Sequence, residues 1–203
     1  MSKEMWDSRY AAEEYVYGKD PNAFFKAEID KLVPGTLLLP AEGEGRNAVY
    51  AAGKHWDVHA LDQSVEGRKK AFSLALGAGV TIRYDLADLM SVDLPADHFD
   101  AIGLIFVHLP SPGRNPFHIR VSEWLKPGGT LILEGFSKEQ IRFTSGGPRD
   151  PDMLFSTTDL QKDFSGLEIL KLEQLETFHD EGAFHRGNSS VVRMVARKKY
   201  ASL

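Results

Sequence analysis

The residues best suited to chemistry lie between Leu37 and Asp62. The run Ala41-Glu42-Gly43-Glu44-Gly45-Arg46-Asn47-Ala48 sets Gly43, Gly45 and Ala48 at G-x-G-x-x-G/A spacing. Such a loop lets backbone come close to a ligand and aims helix N-terminal amides at it. A tight turn alone would also use these glycines. The next apolar run, Val58-His59-Ala60-Leu61, ends at Asp62, seventeen residues after Gly45. A carboxylate there can accept hydrogen bonds from both hydroxyls of a ribose. Loop and acid together point to an adenosine-containing ligand.

These residues need a sheet to hold them. Leu37 to Leu39, Val58 to Leu61, Val80 to Tyr84, Ala101 to Val107 and Thr130 to Glu134 read as strands. Between them lie helical stretches at Asn47 to Gly53, Val65 to Leu76 and Pro116 to Leu125. Strands alternating with helices predict an α/β fold with a parallel sheet and helices on both faces. Residues 3–32 read as helical, broken at Gly18-Lys19-Asp20-Pro21, where Asp20 could cap a second helix. The last third differs. After a short helix at Asp159 to Phe164, Glu168 to Phe178 and Ser189 to Arg197 form two strands joined by polar residues 180–188, a C-terminal antiparallel hairpin. One nucleotide-binding half followed by a hairpin leaves no room for a second half. Glu42 and Glu44 would repel a pyrophosphate but suit a sulfonium and an ammonium. Both points favour S-adenosylmethionine (SAM) over NAD.

Composition narrows the class. The 203 residues are 42% apolar and 26% charged, with a net charge of −5. That fits a globular protein of one domain. There is no cysteine, which removes disulfides, thiolate metal sites and covalent cysteine catalysis. No run approaches a membrane span, and no signal-peptide layout opens the chain, so a cytoplasmic protein is expected. The negative charge argues against nucleic acid. The one basic cluster, Arg193, Arg197, Lys198 and Lys199, reads as a solvated strand edge and tail. The histidines are scattered and suggest no metal site.

Several segments taken in order resemble the class I SAM-dependent methyltransferases. Leu37 to Ala52 (LLLPAEGEGRNAVYAA) resembles their first motif and Leu61-Asp62-Gln63-Ser64 their second. Ala87-Asp88-Leu89 matches the site whose Asp faces the adenine amino group. Phe99-Asp100-Ala101-Ile102 through His108-Leu109-Pro110 resembles the fourth motif, and Leu125 to Leu131 the Leu-Lys-Pro-Gly-Gly turn. The whole chain is similar to the tellurite-resistance and small-molecule branch. Trp6…Arg9-Tyr10…Tyr15-Val16-Tyr17-Gly18…Pro21-Asn22 looks like its lid, and Gly182 to Gly187 like its last hairpin. The resemblance implies a Rossmann-like, seven-stranded, mostly parallel sheet. It divides the single domain into a lid (1–32), a SAM-binding core (35–135) and a substrate-side part (136–203). It implies SAM contacts from Ala41, Glu42, Gly43, Gly45, Arg46, Asn47, Asp62, Gln63, Ser64, Asp88, Leu89 and Phe106. One departure stands out. The family's acid before the glycines, and the first glycine, are here Leu39 and Ala41; Glu42 or Glu44 could replace that acid.

Methyl transfer from a sulfonium needs alignment and desolvation more than acid–base help. His108, after the fourth strand, could orient or deprotonate an acceptor, or simply line the pocket. His185 and Arg186 match the family's His-Arg pair, a base beside an anion-binding cation, although an exposed turn would also explain them. Arg114 reads as a surface residue or a minor anion contact. Tyr10, Tyr15 and Tyr17 could close over the sulfonium or merely pack. Gly146 to Pro151 could gate the pocket. His108-Leu109-Pro110-Ser111 replaces the Asn-Pro-Pro-Tyr of amino-group nucleic-acid methyltransferases. The expected acceptor is therefore a small molecule, with sulfur, selenium, tellurium, oxygen and nitrogen nucleophiles all open. The expected assembly is a monomer or homodimer. A SAM-binding protein without catalysis, and less so an NAD-dependent oxidoreductase, are the alternatives.

Overall fold

The computed structural model describes residues 2–200. Six helices and seven strands follow one another along the chain. They are α1 (Lys3–Tyr10), α2 (Ala23–Ile29), β1 (Thr36–Pro40), α3 (Arg46–Gly53), β2 (Asp57–Asp62), α4 (Val65–Ala78) and β3 (Arg83–Leu86). After them come β4 (Phe99–Ile105), α5 (Ser111–Trp124), β5 (Leu125–Phe136), α6 (Thr157–Asp163), β6 (Leu167–Asp180) and β7 (Arg186–Lys198). The sheet order is β3-β2-β1-β4-β5-β7-β6. The strands from β1 to β5 pair in parallel, and β7 lies antiparallel between β5 and β6.

Side chains alternate across each strand, so each buried strand feeds two cores. Leu37, Leu39 and Ala101 face α2, α3 and α4 through Phe25, Ile29, Ala48 and Ala71. Leu38, Ile102, Leu104 and Leu131 face α5 and α6 through Phe117, Val121, Trp124, Leu160 and Phe164. The expected α/β sheet with its antiparallel hairpin is therefore the observed one, covered by helices on both sides.

Four local expectations need correction. Asn22, not Asp20, caps α2, its side chain accepting from the Phe25 amide. The third strand sits at 83–86, because Val80 closes the α4 terminus, where Gly79 takes the left-handed conformation. Helix α5 starts at Ser111, five residues before the expected Pro116. Proline at the second position of a first turn loses no helical bond, so Pro112 is as good a start signal. Finally, β7 is not a sheet edge; the edge is β6. Arg193 is mostly buried against Glu134, and Lys198 pairs with Asp97.

Candidate functional site

A cavity of about 590 Å³ opens at the C-terminal ends of β1, β2, β4 and β5. Open α/β sheets place ligands there, where the connections diverge. Its floor is the loop from β1 to α3. Ala41 has φ 53°, Gly43 60° and Gly45 86°. The left-handed region costs Ala41 roughly 1 kcal/mol, a cost that glycine would not carry. Gly43 and Gly45 do not face the cavity. A Cβ on Gly43 would lie 2.5 Å from the Tyr10 hydroxyl, and one on Gly45 2.6 Å from Ala71 Cβ. These glycines let α1 and α4 press against the loop that the ligand would touch from the other side.

Asp62 ends β2 inside the cavity. Its two oxygens accept from the Gly43 amide at 3.0 Å and the Ser64 amide at 2.8 Å. A carboxylate has about four acceptor positions, so room remains for two hydroxyl donors. Burial pushes the Asp62 carboxyl up, and the amides partly offset it. Ser64 does not line the cavity. Its hydroxyl accepts from Gly67 N as the α4 cap and donates to Asp7 at 2.6 Å. Gln63, Asp88 and Leu89 line the same end. One Asp88 oxygen takes the Met90 amide, leaving the other free for an amino group.

The two loop acids differ in kind. Glu44 is spent on the fold: it accepts from the Val16 amide at 2.9 Å and pairs with Lys70 at 2.9 Å. Glu42 accepts from the Ala48 amide at 2.7 Å and from Asn47 Nδ2 at 3.2 Å. It has no cation within ion-pair distance among the described residues. Burial pushes its carboxyl up to about 7. A buried acid aimed into a cavity with only neutral donors is fitted to an incoming cation. Leu39 is packed in the core against Gly103.

The other end is aromatic. Phe106 holds φ 56°, a conformation rare for a bulky residue and typical of ligand sites. Its ring meets His185 at 4.5 Å and Phe136 at 4.7 Å, and Tyr17 lies 4.6 Å from His185. The expected methyl-transfer residues separate here. His185 is buried and lines the cavity, its Nδ1 3.6 Å from Glu181. Arg186 points away: its side chain is 71% exposed and pairs with Asp180. His185 ends the hairpin turn and Arg186 opens β7, and the two side chains leave the backbone on opposite sides. His108 lines the cavity, but both ring nitrogens are engaged. Its Nδ1 lies 2.8 Å from the Met153 carbonyl, and its Nε2 accepts from the Phe136 amide at 3.1 Å. Those partners fix a neutral tautomer and leave no lone pair for a substrate proton. Burial lowers its pKa to about 4.

That geometry gives a testable sign. The unfolded chain protonates His108 near 6.5 and the folded chain near 4, so stability falls as pH drops through that window. His108→Gln should show about 2 kcal/mol less acid destabilisation than wild type between pH 7 and 4.5, measured by urea unfolding. An equal acid loss in both proteins would remove His108 as the cause.

Tyr10 and Tyr17 roof the cavity, whereas Tyr15 turns outward to bond the Lys70 carbonyl. Arg114 is buried against Asp163 at 2.8 Å, an ion pair shared with His118 that joins α5 to α6. Gly147 and Pro148 of the 146–151 loop reach the cavity wall. Arg46 lines it too, spent on Glu181 at 2.8 Å and the Tyr17 carbonyl at 3.2 Å. Sequence reasoning missed Glu181 and Glu134. An acid near the end of the buried run 130–134 was the available signal for Glu134, and nothing marked Glu181 within a polar hairpin. Among the described residues no cluster of histidines and acids could hold a metal, and no helix is long and apolar enough to cross a membrane.

Residues 40–129 match the family model described as a methyltransferase domain. No curated protein sequence matches the chain. Solved structures show the fold. One, from work on the conversion of a disulfide bond into a thioacetal group during echinomycin biosynthesis, is 16% identical with a TM-score of 0.81, covering 98% of this chain and 93% of that one. N-methyltransferase NodS from Bradyrhizobium japonicum, in complex with S-adenosyl-L-homocysteine, is 15% identical with a TM-score of 0.72, covering 98% of each chain. TehB from Haemophilus influenzae is 17% identical with a TM-score of 0.72, covering 97% of this chain and 67% of that one. The matched segment, which is similar to that family, holds the glycine loop, Asp62 and Asp88.

Proposed function

We propose that the chain moves the methyl group of SAM to a small-molecule nucleophile in the aromatic end of the cavity. One observation carries this: Asp62 and Glu42, two buried acids with acceptor capacity to spare, face the same cavity as Tyr17, Phe106 and His185. The fit to the donor is chemical. Asp62 has room for two ribose hydroxyls, Asp88 for the adenine amino group, and Glu42 suits the ammonium. We assign to Glu42 the role of the acid absent at Leu39. The bound donor supplies an electrophilic methyl on a sulfonium, open to in-line displacement.

The chain supplies alignment and dryness. Tyr17, Phe106 and Phe136 shape the acceptor end and exclude water. We assign His185 to the acceptor proton: burial lowers its pKa and keeps the ring neutral, although Glu181, facing its Nδ1 at 3.6 Å, partly offsets that. His108 positions the wall by tying Met153 to Phe136. An aromatic wall with one imidazole, His185, not tied up in backbone hydrogen bonds suits a thiol or amine, and a selenium or tellurium oxyanion fits the TehB likeness in fold. The acceptor is a free small molecule, and the working unit a monomer or homodimer.

A non-catalytic SAM binder is the second reading, favoured by the strained Ala41. Thermal unfolding with SAM, S-adenosylhomocysteine (SAH) and NAD tests the donor. Ligand at about 100 times its dissociation constant adds roughly 2.7 kcal/mol. SAM and SAH should stabilise and NAD should not. Stabilisation by NAD alone, or by none, would overturn the assignment; SAH binding without turnover on thiols, selenite, tellurite or amines would favour the non-catalytic reading.

A further inference from the structure

We propose that Arg9 is the recognition residue for an acidic methyl acceptor, pairing with its carboxylate or comparable oxyanion; this rests on the methyltransferase reading above. Two cations line the cavity among the described residues. Arg46 is spent on Glu181 and a backbone carbonyl. Among the described residues Arg9 has no carboxylate within ion-pair distance, and its one hydrogen bond runs from Nη1 to the Tyr17 hydroxyl at 3.0 Å. Its guanidinium lies 4.8 Å from the Trp6 ring centre and 5.1 Å from that of Phe184. Aromatic faces hold the plane in place without neutralising it, and a guanidinium so held keeps donors for a forked bond to an anion.

Position assigns the ligand. Arg9 reaches the cavity beside Phe184 and Tyr17, at the hairpin tip that also presents His185. Asp62 and Asp88, the adenosine acids, are at the ends of other strands. The neighbouring walls, Tyr17, Phe106, Phe136 and Pro148, are apolar and mostly aromatic. A planar or apolar body carrying one acid group matches that combination, with the acid at Arg9 and the nucleophile toward His185. The donor also carries a carboxylate, so the test separates the two sources.

Titrate benzoate and its neutral isostere benzamide into the SAH-saturated protein by calorimetry, for wild type, Arg9→Lys and Arg9→Met. Benzoate should bind wild type at least tenfold tighter than benzamide. The preference should vanish in Arg9→Met and survive in part in Arg9→Lys, with SAH affinity changed less than threefold in both. Equal binding of the two probes by wild type, or a preference that persists in Arg9→Met, overturns the subsite. A tenfold loss of SAH affinity in Arg9→Met, with 5′-methylthioadenosine affinity unchanged, overturns it in favour of the donor carboxylate. Wild type that binds no SAH fails the donor reading itself, a result visible before any probe is added.

Discussion

Glu42→Gln should lose about 100-fold in SAM affinity and yet gain stability relative to wild type as pH rises. Both follow from one buried carboxyl whose pKa lies near 7. In the unfolded chain that carboxyl titrates near 4.5. The folded protein therefore holds the extra proton between those values, and stability falls as pH rises through the window. At one unit per 1.36 kcal/mol, the penalty reaches about 2–3 kcal/mol by pH 8. Glutamine cannot ionise, so the stability difference between variant and wild type should move toward the variant by that amount from pH 4.5 to 8. The cofactor reverses the account. An ammonium beside Glu42 favours the ionised form, so wild-type SAM affinity should rise about tenfold from pH 5.5 to 7. The variant should show little slope. Calorimetry at several pH values and urea unfolding of the apo protein read the two halves separately. A variant that binds SAM as wild type does would return the ammonium to another group. A flat stability difference would mean that Glu42 titrates normally.

Much of this fold was written in local pattern. Leu37 to Leu39 and Ala101 to Val107 are apolar without interruption because both sheet faces are covered, and that signal survives any uncertainty about ends. The glycine loop, Asp62 and Asp88 follow in the order of the strands β1, β2 and β3 that precede them. Side-chain direction was not legible. His185 and Arg186 are neighbours in sequence and opposite in space, because the chain passes there from the hairpin turn into the first residue of β7. His108 reads as chemistry because it follows a strand end. Only the fold shows that Met153, 45 residues away, takes its other face. Glu42 and Glu44 are equivalent in sequence, and the fold decides between them: the Val16 amide and Lys70 claim Glu44, while Glu42 has no cation partner among the described residues. Arg114 reads as surface but is buried, because its partner Asp163 comes from a different helix.

The second large effect comes from a residue outside the cavity. Glu134, fully buried on β5, accepts from Asn22 Nδ2 at 2.9 Å, from His179 at 3.3 Å and from Arg193. Burial would raise its carboxyl, but His179, Arg193 and Asn22 outweigh that and hold it below the usual range. Asn22 also caps α2 and donates to Glu181 at 3.0 Å, while its own amide donates to Asn47 Oδ1 at 2.9 Å. Asn47 in turn donates to Glu42. A continuous chain of hydrogen bonds thus runs from β5 through Asn22 and Asn47 to Glu42. Removing one partner of a buried charge pair leaves the other uncompensated, at about 3–5 kcal/mol. Glu134→Ala should cost that much in urea unfolding at pH 7, and Glu134→Gln, which keeps an acceptor, about half. The chain adds a second readout. Freed from Glu134, Asn22 no longer fixes Asn47, so SAH affinity should fall about tenfold in Glu134→Ala although no cavity atom has changed. A double-mutant cycle with Asn47→Ala separates the two effects. Coupling near 1 kcal/mol in SAH binding would show that the effect passes through Asn22 and Asn47, whereas strictly additive losses would confine Glu134 to holding the sheet together.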